Sequence, residues 1–169
     1  MVRQALLALR AIGESVRNGA ELPVEDTASL LRFLREFLLA NHFRKESEHL
    51  WPAVAMRGEE AAAAQVGELL RLQQEVTDLV HSLVLFWEPV GELTAAERLG
   101  FADTIVALDC HMQHMRRIEE DELFAACDAA VPADDQLDWG PAFRSIDADK
   151  TPREAWDKLV GALQRKWAS

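Results

Sequence analysis

The chain has 169 residues, enough for one domain that buries about 70% of its unfolded surface without disulfide or metal staples. With 49% hydrophobic and 28% charged residues, it is neither a disordered nor a collagen-like chain. Its 29 acidic and 18 basic residues leave a net charge of −11, and the bases cluster only briefly, which argues against a nucleic-acid partner.

Helical periodicity runs through the sequence. The first predicted helix covers residues 2–17, with Leu6, Leu9, Ile12 and Val16 on one face and a stop at Asn18-Gly19. A second follows Pro23 and covers 26–50, its stripe being Leu31, Leu34 and Leu38; Trp51-Pro52 ends or kinks it. A third begins after Gly58 and reaches about residue 87, with Leu69, Leu72, Val76, Leu79, Val80 and Leu83 at steps of three and four. The fourth opens on the capping box Thr94-Ala-Ala-Glu97 and runs to about residue 130. Residues 131–150 are acidic and turn-rich, and read as a loop packed on the domain through Trp139, Phe143 and Ile146. A last helix starts at a second capping box, Thr151-Pro-Arg-Glu154, with Pro152 at the favoured first position.

Long amphipathic helices with short connections predict an all-α, antiparallel up-down-up-down four-helix bundle with an extra C-terminal helix. Residues 1–130 make the bundle, and 131–169 form an extension, a packed loop plus a short helix, within the same domain. Cys110 and Cys127 lie on one predicted helix, roughly 25 Å apart at 1.5 Å per residue, so they cannot pair and a cytoplasmic setting is expected. No apolar run is long enough to span a bilayer, so no membrane is expected.

Chemistry in such a bundle sits where ligand-type residues interrupt an apolar stripe. On the second helix the leucine stripe continues as His42, Glu46 and His49. His42 and Glu46 are about 40° apart around the axis, close enough to reach one ion, and imidazole with carboxylate suits iron, manganese or zinc. The alternative is a solvated helix end, with Glu46 paired to Arg44 or Lys45. On the fourth helix Met115 and Glu119 fall within about 20° of the buried stripe, His111 about 60° off and His114 about 120° off. Glu119 is the acid least compatible with a simple exposed charge run. Gln73 lies near the seam of the third helix, and His81 well away from it. No nucleotide-binding or nucleophile motif occurs, so an enzyme is the weaker reading.

The string FLLANHFRKESEHLWP (37–52) resembles the second-helix motif of the hemerythrin-like HHE cation-binding family, a phenylalanine-rich run followed by H-H-x-K-E-E-x-x-L-F-P. In that register His42 takes the first histidine, Phe43 stands at the second, Lys45 and Glu46 keep their places, and Ser47 replaces the second glutamate. His114 to Phe124 resembles the fourth-helix motif H-x-x-x-E-E-x-x-L-F. With one extra residue, His114 and Glu119 are the ligands, which requires a π-bulge between them; in the shorter form Met115 occupies the histidine position. The first-helix histidine falls near Val2 or Arg3, and the third-helix histidine on Gln73.

The resemblance implies an antiparallel four-helix bundle with a mono- or di-nuclear iron site, or another transition metal. The expected ligands are His42, Glu46 and Glu119, with His111 or His114 completing the shell. A metal ion and a small diatomic ligand such as oxygen or nitric oxide are then the partners, with handling or sensing of that ligand, or of iron, as the function. The second possibility is a hemerythrin-fold bundle that has lost its metal and serves as a protein-interaction or regulatory module. Three of the five tryptophans lie at or beyond residue 139, where they suit a homo-oligomer face as well as an internal one.

Overall fold

The computed structural model describes residues 1–87, 92–124, 126–127, 131–148 and 150–168. Among the described residues every regular element is helical, and the chain forms 6 helices. Helix α1 is Val2–Arg17; α2 spans 24–57; α3 is Glu60–Trp87; α4 runs Ala95–Ile118 and continues into a π-helical turn, Glu119–Leu123; α5 is Ala133–Asp147 and α6 is Arg153–Trp167. No described helix is long and apolar enough to cross a membrane. The connection at 88–91 and the expected boundary at 128–130 lie outside the described residues.

The apolar stripes do what their period dictates. Leu6, Leu9, Ile12 and Val16 of α1 are all buried, and α1 ends at Asn18 with Gly19 at φ +98°, a conformation that favours glycine. Helix α1 packs against α4 and α6, and α3 packs against α4 and the end of α2. The α1–α4 approach is close: a Cβ on Gly13 would sit 3.2 Å from Ile105 Cδ1 and 3.5 Å from the Ala102 backbone. Arg10 Nη1 donates to Asp109 Oδ2 at 3.1 Å and sets the register of the two helices. Nearly all of the buried side chains form one cluster, with Trp51, Phe33 and Phe101 the largest of its fully buried members. Trp156 of α6 closes it, edge-on to Phe33 at 5.5 Å.

Helix α2 departs most from the expected form. It does not end at Trp51-Pro52, one of the two outcomes expected there, but continues through them, and much of it is π-helical, over Leu34–Phe43 and Glu46–Leu50. The amide of Trp51 bonds back five residues to the Glu46 carbonyl. The change of register therefore falls next to Pro52, whose missing N–H and ring would otherwise break an α-helical ladder.

Two further expectations are corrected. Residues 133–147 are helix α5, not a packed loop, so the extension adds two helices rather than one. Pro132 is its N-cap rather than a turn residue, and Trp139, Phe143 and Ile146 stand at i, i+4 and i+7, a helical spacing. The second capping box does not form either: the N-cap of α6 is Pro152, with no side-chain cap. Thr151 Oγ1 instead donates to Glu36 Oε2 at 3.4 Å.

The Thr94 box is complete, with the Glu97 amide donating to Thr94 Oγ1 at 3.3 Å and the Thr94 amide to Glu97 Oε2 at 2.7 Å. Thr94→Ala is therefore expected to cost about 1 kcal/mol in urea unfolding, and Thr151→Ala less than about half of that.

Candidate functional site

Glu46 is the focus of the site. It starts the second π-helical turn of α2, and only 8% of it is exposed. Its Oε2 accepts a hydrogen bond from Gln73 Nε2 of α3 at 2.8 Å, and Gln73 is itself 5% exposed. His42 Nε2 lies 3.3 Å from the other oxygen, Oε1. The neighbouring cations are engaged elsewhere: Arg44 holds Glu48 at 2.8 Å and Lys45 holds Asp147 at 2.6 Å. Glu46 therefore points inward, as the leucine stripe requires, and not to a solvated helix end.

Burial is the main electrostatic force here. It pushes the Glu46 carboxyl from an ordinary 4.5 up to about 8, with the negative charge of Glu119 adding to the effect and the Gln73 hydrogen bond opposing it. Glu119 rises to about 7, again mainly through burial, with Glu120 contributing. The His42 side chain remains 48% exposed, and its pKa is lowered, first by the partial desolvation of its ring and then by Lys45 and Arg153. At neutral pH the imidazole is thus neutral and the two carboxyls hold protons readily.

His42 and Glu119 line a cavity of about 380 Å³ among α1, α2 and α4. Its apolar wall includes Leu6, Leu38, Phe43 and Met115. Arg3, Arg116, Asp109 and Gln113 also line it.

The remaining expected ligands go elsewhere. His111 Nε2 lies 3.1 Å from Glu75 Oε2 and His114 Nε2 lies 3.6 Å from Glu68 Oε1, so both face acids of α3. The π-helical turn of α4 begins at Glu119, after the interval that the His114–Glu119 alignment needs to widen. Residues 114–118 remain α-helical, His114 is exposed, and Met115 is 1% exposed on the cavity wall, one turn before Glu119. His49, expected to extend the inward stripe, packs on Trp139 and Phe143 of α5, at 6.2 and 5.5 Å between ring centroids. Among the described residues no three His, Cys, Asp or Glu side chains are arranged to hold a metal ion.

The helical period places Gln73 near the seam but does not pair it with Glu46; a polar residue close to an apolar stripe is the only signal the sequence offers. Arg3 and Arg116 carry no such signal, because a solvated helix face would look the same. Compared with known proteins, the chain matches no family model, no curated protein and no solved structure.

The raised carboxyl pKa values set the pH dependence. Glu46 and Glu119 bind protons more tightly in the folded chain than in the unfolded one. Their stabilising contribution is complete below 4.5 and is lost as pH rises through about 7 and about 8. The melting temperature should therefore fall between about pH 5 and about pH 9, and Glu46→Gln should flatten that fall and melt higher than wild type at the alkaline end.

Proposed function

We propose that α1 to α4 form an up-down-up-down four-helix bundle of the hemerythrin type whose metal centre has given way to a metal-independent polar cluster. The protein then serves as a regulatory or protein-interaction module. The observation that carries this reading is the pairing of Glu46. This carboxylate keeps the family's place on the second helix, yet it is bonded to Gln73, where the family has a histidine. The chain's residues fit a di-iron centre poorly. Val2 or Arg3, Gln73 and, in the shorter alignment, Met115 stand where the resemblance expects imidazoles, and His111 and His114 are turned toward Glu75 and Glu68.

A second reading keeps a single transition-metal ion, most naturally iron, on His42, Glu46 and Glu119. It is favoured by one observation: the His42 imidazole lies 3.3 Å from Glu46 Oε1, with Glu119 near enough for its charge to raise the Glu46 pKa. A cation there would relieve the cost of the buried Glu46 and partly buried Glu119 carboxylates, and would bring with it the small diatomic ligand that the resemblance implies.

Metal analysis of untagged protein, with melting curves before and after EDTA, separates the two. The metal-independent reading expects less than about 0.1 equivalent of transition metal and an unchanged melting temperature. Stoichiometric iron whose removal lowers the melting temperature would establish the second reading instead. Under the first reading Glu46→Ala leaves the Gln73 amide without its buried partner and costs about 1–3 kcal/mol, while the exposed Glu59→Ala costs about 0.5 kcal/mol or less.

A further inference from the structure

The cavity among α1, α2 and α4 is far larger than a diatomic gas requires. At about 30 Å³ per water-sized molecule, its 380 Å³ holds roughly a dozen such volumes and lies at the lower end of pockets that take small organic ligands. Leu6 and Leu7 of α1, Leu38 and Phe43 of α2, and Met112 and Met115 of α4 supply walls for a hydrocarbon body.

The charged lining is asymmetric in what it leaves over. Asp109 is already engaged, accepting from Arg10 Nη1 at 3.1 Å and from Gln113 Nε2 at 2.9 Å. Arg3, which is exposed, has no ion-pair partner among the described residues. Arg116 reaches Glu120 only at 3.7 Å, with both side chains half exposed, a pair of little energetic weight. Two guanidinium groups therefore stand at the exposed edge of the cavity, and the other acid of the lining, Glu119, is held toward its protonated form by burial, so the positive charge is in excess. Guanidinium matches a carboxylate through paired N–H donors, whereas an amine would meet two like charges there.

We propose that this cavity binds a small amphipathic monocarboxylate, its hydrocarbon body between Leu38 and Met115 and its carboxylate at Arg3 and Arg116. The assignment rests on the metal-independent reading of the site, since an ion on His42 and Glu119 would occupy one wall of the same space.

Octanoate, with 1-octanol and octylamine as isosteric controls, tests it by isothermal titration calorimetry on the full chain in EDTA, with iron measured on the same sample. Octanoate is expected to bind saturably at one per chain and more tightly than either control. Arg3→Gln with Arg116→Gln should weaken octanoate at least about tenfold and leave 1-octanol unchanged, with the circular dichroism spectrum that of wild type. Leu7→Trp, at an exposed lining position, should fill the cavity and abolish binding of both. Absence of saturable octanoate binding, equal binding of octylamine, or indifference to the arginine changes would overturn the ligand assignment in iron-free protein. Stoichiometric iron in the sample would overturn the reading beneath it.

Discussion

The placement of a single carboxyl, Glu46, constrains this part of the molecule more than any other interaction. A carboxylate taken out of water without partners is too costly for a domain whose net stability is about 5–15 kcal/mol. The chain meets that cost in three ways: a hydrogen bond from Gln73, a neutral imidazole alongside, and a strong preference for keeping the proton. Each way ties α2 to something else. Gln73 fixes the register of α3 against α2, and His42 and Glu119 connect the pair to the cavity and to α4. The apolar stripes give the helices an attractive face, but hydrophobic burial is non-directional. The buried polar contact is directional and selects one alignment among several that would bury similar area.

The π-helical stretches belong to the same account. They cover Leu34–Phe43, Glu46–Leu50 and Glu119–Leu123, so they border His42, Glu46 and Glu119. Widening a turn sacrifices hydrogen-bond geometry and persists only where surrounding packing compensates for it. Its effect is to rotate the residues C-terminal to it about the helix axis. His49 lies beyond the change of register at Glu46, and the 3.6-residue stripe that includes it no longer applies. It leaves the interior and meets Trp139 and Phe143 instead. That contact helps to seat α5, together with the ion pair of Lys45 and Asp147 and the donation from Asn41 Nδ2 to Asp147 Oδ1 at 2.6 Å.

The legible parts of the sequence are those governed by local rules. The stripes of α1 and α3, the stop at Gly19 and the box at Thr94 need only the period of a helix and the chemistry of its ends, and the structure keeps each of them. Glu46 is buried as the stripe predicts, although the π-helical stretch Leu34–Phe43 intervenes, so its burial agrees with the helical period without following from it. The illegible parts depend on neighbours distant in sequence. Thr151 forsakes its cap because Glu36, 115 residues earlier, offers an acceptor. His111 and His114 look like ligand candidates on α4, but the fold sets Glu75 and Glu68 of α3 beside them. Helix α5 is hidden by Pro132 and Gly140-Pro141, which look like breaks, although its aromatic spacing has a helical period.

The positions that set this chain apart from the family it resembles are themselves informative. Val2, Arg3 and Met115, where the resemblance expects histidines on the first and fourth helices, all line the 380 Å³ cavity. Exchanging one imidazole for valine or arginine and, in the shorter alignment, another for methionine removes nitrogen donors, and Arg3 adds a fixed positive charge to the same lining. A site made of such exchanges is poor for a metal ion on two counts, lost ligands and like charge. The same exchanges suit a ligand with a hydrocarbon body and a negative end. On the proposed reading, the loss of one chemistry and the gain of the other are a single change in the lining of one space. Glu46 and Gln73 then hold together the helices that the metal would have held.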